Sequence, residues 1–287
     1  MKGKYWRTSG WLWSLVSLLT ALVITVLLVA SPALASHFDP MELPQATPVV
    51  TCLALCGDLG DAPVLGMTAY PTATVPVTAA FPTIYSAGAA SGPFHLSPEN
   101  GPYLGDGVSL EKNAHQLPDE DGITNIDIAN DKADEDGADD GVSWIPSLAD
   151  CAANSFNVYL TVPANGYTGT LYANVWFDFE RDGDWNDEGL CGSETVSEWA
   201  IQNRGFQLSP GTHVFTATVG GFHPAGMEFD PLWMRITLSD TPVPVFNGYS
   251  DGRGPAAGFL YGETEDYFLK YYDGSCDTCS SQAGWQG

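Results

Sequence analysis

The chain is nearly without positive charge. Ten Lys and Arg stand against 35 Asp and Glu in 287 residues, a formal net charge of −25. Nucleic acids and anionic bilayer surfaces are held by clustered Lys and Arg, so this balance argues against both as partners. It favours divalent cations, which relieve repulsion among carboxylates. Histidine is scarce as well. His37, His95, His115, His213 and His223 show no metal-ligand spacing, and His-Glu-x-x-His does not occur. The commonest sequence signature of zinc proteases is therefore missing. No stretch after residue 150 repeats apolar residues at helical spacing, which excludes an α-helical C-terminal half.

Long hydrophobic runs are also lacking, with one exception near the start. Lys2, Lys4 and Arg7 precede an apolar run from Trp11 to Ala30, and Ala33 and Ala35 then offer small residues at a cleavage site. This pattern predicts a signal peptide over residues 1–35, cleaved after Ala35, with a retained N-terminal anchor as the alternative. Cleavage would remove 3 of the 10 basic residues and no acid, leaving 7 against 35 and a charge of −28. The expected location is secreted or at the cell surface. Six cysteines follow the run: Cys52, Cys56, Cys151, Cys191, Cys276 and Cys279. An even number in an exported chain reads as disulfides. Cys151–Cys191 is the preferred long-range bridge, because both residues fall just outside strands predicted for one domain. The other two pairs close locally or cross-link the ends.

What the chain does contain is alternation. Phe156, Val158, Leu160 and Val162 share one strand face, and Leu171, Ala173, Val175 and Phe177 share another. Residues 214–219, 232–238 and 266–272 complete the clearest set. Short alternating strands separated by Gly and Pro turns predict a mainly β fold, an antiparallel β-sandwich over residues 150–272. Residues 36–57 read as a linker and residues 58–145 as a loop-rich acidic segment with short strands. Residues 273–287 form a polar tail containing two cysteines. Within the acidic segment, residues 119–141 carry ten Asp and Glu against Lys132 alone. Asp134, Asp136 and Asp139 in its Asp-Gly turns are either solvated or a second cation site.

The sharpest local feature follows the strand ending at Phe177. Asp178, Glu180, Asp182 and Asp184 alternate, Gly183 permits a sharp bend, and Asp187 closes the run. Carboxylates converge in this way around a hard cation such as Ca²⁺, which takes six to eight oxygens. The loop is not an EF-hand: Glu180 stands at position three, Gly189 stands where the bidentate Glu belongs, and a strand precedes it. The expected ligands are Asp178, Glu180, Asp182, Asp184 and Asp187. Glu263, Glu265 and Asp266 either complete this site or serve as ion-pair and capping groups, with Arg235 the obvious partner.

Two segments resemble a known bacterial module. Gly262-Glu-Thr-Glu-Asp-Tyr267, expected just before a final strand, is similar to the signature of the GEVED domain, with Thr264 in place of the usual Val. Ala173-Asn-Val-Trp-Phe-Asp178, running into the acidic loop, resembles its other recurrent segment. Arg235-Ile-Thr-Leu238 matches the strand that usually precedes the signature. Upstream, Asp58-Leu-Gly-Asp-Ala-Pro63 and Tyr103-Leu-Gly105 resemble a segment often found before such domains. The resemblance implies a β-sandwich accessory domain of secreted or surface proteins, without assigned catalysis. The expected function is a non-catalytic, Ca²⁺-stabilised module for surface attachment or protein interaction. Its partner would be an extracellular protein or polysaccharide, with no nucleic acid and no membrane contact beyond the signal segment. A carbohydrate-binding accessory role requires an exposed aromatic pair, drawn for example from Trp176, Trp185, Trp233 and Tyr267. A secreted hydrolase requires a nucleophile and base in a pocket.

Overall fold

The structure, a computed structural model, describes residues 57–269 apart from 71–72, 74, 109, 111–125, 128–131, 134–138, 143–144, 146–147, 165–166, 225–226 and 228–229. The predicted signal peptide, the linker, the tail, Cys52, Cys56, Cys276, Cys279, Asp134 and Asp136 lie outside the described residues. Thirteen strands occur among those residues: β1 (Thr68–Tyr70), β2 (Val77–Thr78), β3 (Tyr103–Leu104), β4 (Ile126–Asp127), β5 (Lys132–Ala133), β6 (Asn154–Val162), β7 (Leu171–Phe177), β8 (Glu188–Cys191), β9 (Glu194–Ser197), β10 (Trp199–Phe206), β11 (Gly211–Val219), β12 (Leu232–Ser239) and β13 (Gly262–Leu269). They include no α-helix.

Two antiparallel sheets form the body, as the alternation predicts. One has the order β10-β7-β12-β13 and the other β11-β6-β3. Their facing sides make one core: Phe156, Val158, Leu160 and Val162 of β6 meet Leu171, Val175 and Phe177 of β7 and Leu232, Met234, Ile236 and Leu238 of β12. Each such side chain contributes about 1.5–3 kcal/mol through removal from water. This is the sandwich.

The four-stranded sheet is buried on its other face too. Every residue of β12 and β13 is buried, although only alternate ones reach the sandwich core. The opposite set holds Trp176, Trp199, Trp233 and Phe268, packed with Ala62, Ala69, Tyr70, Ala79, Phe81, Trp185, Val243 and Phe259. The first part of the loop-rich segment, with Ala62, Ala69, Tyr70, Ala79 and Phe81, is thus a third layer laid over the sheet, while Tyr103 and Leu104 join the smaller sheet as β3. A second buried face also encloses Asn174, Arg235, Thr237, Thr264 and Asp266, which must find partners there.

Two sequence expectations need correction. The last strand begins at Gly262, so the signature lies within β13 instead of preceding it. Residues 188–206 form three strands that the pattern did not reveal. β8 and β9 are four residues each, and β10 carries two register shifts against β7 that destroy its alternation.

Candidate metal centre

β7 delivers Asp178 to the end of the four-stranded sheet, and the chain then curls back. The Asp178 carboxylate is fully buried and organises that curl: its Oδ1 accepts the Asp182 N–H at 3.1 Å, while its Oδ2 accepts the Gly183 N–H at 3.0 Å and the Tyr70 hydroxyl at 2.8 Å. Gly183 has φ +96, and a side chain there would meet the Thr78 carbonyl at 2.6 Å. Its own carbonyl accepts from Ala80 N–H at 2.7 Å, which ties the loop to the third layer. Trp185 turns inward between Phe81, 4.3 Å between ring centres, and the Arg235 guanidinium, 4.5 Å from the ring. The Arg181 guanidinium donates to the carbonyls of Phe179, Asp230 and Pro231. With these residues turned inward, the remaining acids gather on the outer side.

Glu180, Asp182 and Asp187 bring carboxylate oxygens within 4.8 Å of one another, and Asp184, Asp187 and Glu198 do the same. Asp187 belongs to both groups. Four of the five expected ligands thus fall into two groups that share Asp187, whereas both oxygens of Asp178 hold the loop's own backbone and its neighbour Tyr70. The sequence reading missed Glu198. It lies beyond the β8–β9 hairpin and folds back to the loop, accepting the Glu180 N–H at 3.4 Å and the Asp187 N–H at 3.2 Å. It reaches the loop from a separation that no short motif captures. The one clue was an acid immediately before an apolar strand, Trp199-Ala-Ile201.

The electrostatics fit a cation. Burial, then the charge of Asp178, pushes Glu198 up to about 10. Burial, then Asp182, raises Asp187 to about 6, and burial raises Asp184 as well. Asp178 is pushed to about 8, chiefly by burial. Carboxylates in this arrangement resist ionising together unless positive charge enters. The donors are all oxygen; Glu180 and Asp182 are exposed, Asp184 and Asp187 half-buried and Glu198 buried, so the group is open on its Glu180–Asp182 side to a hard cation such as Ca²⁺.

The other acids of interest lie elsewhere. Glu263 Oε2 accepts the Leu104 N–H at 2.7 Å. Glu265 Oε1 accepts the N–H groups of Asp140 and Gly141 at 3.1 and 2.8 Å, and its Oε2 accepts the Tyr267 hydroxyl at 2.7 Å. On the opposite face, Asp266 forms a two-pronged pair with Arg235 at 2.7 and 2.5 Å and accepts the Ala62 N–H at 2.7 Å. Asp58 Oδ2 accepts the Thr264 N–H at 2.7 Å. Gly60 is pressed so close that a Cβ would lie 2.4 Å from Asp266 Oδ2. The upstream Asp-Leu-Gly-Asp-Ala-Pro segment and the β13 signature are thus two halves of one buried interlock. Asp139 is half-buried near Tyr267, whose hydroxyl pKa is raised by burial, then by Glu265 and Asp139.

Comparison with known families decides what this domain is. The family model of the GEVED domain matches residues 172–270. The chain carries a GEVED domain. The match takes in the acidic loop, Glu198 and the β13 signature, while β6 and the layer supplying Asp58, Gly60 and Ala62 lie outside it. No curated protein and no solved structure matches the chain.

The remaining expectations can be placed beside the GEVED core. Cys151 and Cys191 are bonded, with Cα atoms 5.0 Å apart, as predicted. This bridge fastens the hairpin that separates Asp187 from Glu198. Trp176, Trp185, Trp199 and Trp233 are at most 3% exposed, so none of these four offers a stacking platform.

Proposed function

We propose that this chain is an exported, non-catalytic GEVED module braced by Ca²⁺, used for surface attachment or protein interaction. The observation that carries the reading is the convergence of Glu180, Asp182, Asp184, Asp187 and Glu198 on one side of a loop whose backbone is already fixed. Ca²⁺ bound there neutralises repulsion among these carboxylates, and it locks the hairpin to the end of the sandwich. Export is supported by the leader-like residues 1–35 and by the Cys151–Cys191 bridge.

Thermal unfolding in Ca²⁺ and in chelator tests the brace. A ligand at a hundred times its Kd stabilises the folded state by about 2.7 kcal/mol. The midpoint should rise in millimolar Ca²⁺ and the rise should vanish in Asp187→Asn. An unchanged midpoint would remove the basis for the proposal.

A further inference from the structure

The two sheets end in unlike edges. β10, at the edge of the larger sheet, is broken by two register shifts, and Asn203 within it has φ +44. Such irregularities stop another strand from pairing. β11, at the edge of the smaller sheet, runs nine residues in unbroken register with β6 and contains no Pro, Lys, Asp or Glu. Its outer side pairs with no strand among the described residues.

The register shows which groups face outward. Tyr159 of β6 donates to the Gly141 carbonyl and accepts from Gly105 N–H, both on the side away from β11. Odd-numbered residues of β6 therefore bond away from β11, and even-numbered ones bond to Gly211, His213, Phe215, Ala217 and Val219. The N–H and C=O groups of Thr212, Val214, Thr216 and Thr218 point to the free edge. The Arg204 guanidinium reaches the Thr216 carbonyl at 3.4 Å, as expected if that oxygen looks outward.

Charge distinguishes this region from the rest of the chain. Residues 151–177 contain no Asp, Glu, Lys or Arg, and residues 199–227 contain only Arg204. On a molecule of net charge −25, this is where two copies can meet without opposing carboxylates. A cationic partner would be drawn to the acidic surfaces instead. The exposed face beside the edge is hydroxyl-rich, with Ser155 opposite Thr218 and Thr161 opposite Thr212.

We propose that β11 is a self-association edge, with the β11 strands of two copies pairing antiparallel about a two-fold axis at Phe215. Val214 then exchanges both backbone bonds with Thr216 of the second copy, and Thr212 does so with Thr218. The two three-stranded sheets join into one of six strands, and the symmetry closes at a dimer. The Arg204 contact with the Thr216 carbonyl gives way to the incoming Val214 N–H.

Sedimentation equilibrium of the full chain tests this. The wild type should show a concentration-dependent monomer–dimer equilibrium, with dissociation in the micromolar range or weaker, as suits a small interface. Thr216→Pro removes an outward N–H and no ladder bond to β6, so it should abolish the dimer with little change in thermal midpoint. Val214→Lys, which places charge on the edge, should do the same and carries the test if the proline variant fails to fold. A wild type that stays monomeric, or folded edge variants that associate as the wild type does, would overturn the proposal.

Discussion

The molecule handles carboxylates in two opposite ways. In the interlock, Glu263, Glu265 and Asp266 are buried, and donors arrive for each from distant segments: Leu104, Asp140 and Gly141, Ala62 and Arg235. At the acidic loop the groups that converge on Asp187 include other carboxylates, those of Glu180, Asp182, Asp184 and Glu198. Burying an acid is tolerable where N–H groups and a guanidinium meet it, since the charge is then solvated by the protein. Where acids meet acids, they either stay protonated or are compensated by a cation from outside, as proposed above. The same residue type is a structural clasp in one place and a cation-seeking group in the other.

The comparison breaks most visibly at the interlock. Asp266→Ala leaves the fully buried Arg235 without its carboxylate and should cost about 3–5 kcal/mol, read from the denaturation midpoint. The loss should be the same in Ca²⁺ and in chelator. Replacing Cys151 and Cys191 together opens a link spanning 40 residues, worth about 3–4 kcal/mol in the chain-entropy account. Because that link anchors the hairpin between two proposed ligands, its removal should also reduce the gain from Ca²⁺, which the interlock substitution leaves alone. Gly60→Ala forces a methyl against Asp266 and should cost about 1–3 kcal/mol by equilibrium unfolding.

An effect of opposite sign at the two places lies in pH. Asp187, Asp178 and Glu198 have folded pKa values raised to about 6, 8 and 10, against about 4 for ordinary carboxylates. The folded state then holds protons that the unfolded chain releases. In chelator, stability should therefore fall as pH rises from about 5 to 8, and Ca²⁺ should flatten that decline. His95 works in reverse. It is buried against Phe259, with Thr264 and Tyr261 on its ring nitrogens, and burial lowers its pKa to about 3. The unfolded chain takes up a proton that folded His95 refuses, so stability should fall as pH drops below about 6.5. Ca²⁺ should leave the His95 contribution itself unchanged.

The alternating strands were legible because one face of each meets the sandwich core: Phe156 to Val162 and Leu171 to Phe177 fell where their pattern put them. The acidic loop was legible from spacing and Gly183. The third layer was not, because alternation reports that residues change sides and does not say whether both sides are covered. Trp233 and Arg235 are as buried as Met234, yet they read as the outward set. Glu198 was hidden for a topological reason, since a hairpin separates it from the loop it closes. The roles of Glu263 and Glu265 were hidden because their partners are backbone N–H groups, which leave no mark in a sequence.

Calorimetric titration of Ca²⁺ into Glu198→Gln and Glu265→Gln, beside the wild type, tests the central claim most directly. The account predicts that Glu198→Gln weakens Ca²⁺ binding by at least about tenfold, equivalent to about 1.4 kcal/mol. Glu265→Gln should bind Ca²⁺ as the wild type does while unfolding earlier. Undiminished binding by Glu198→Gln, or binding lost equally in both, would contradict the division of the acids into a clasp and a cation site.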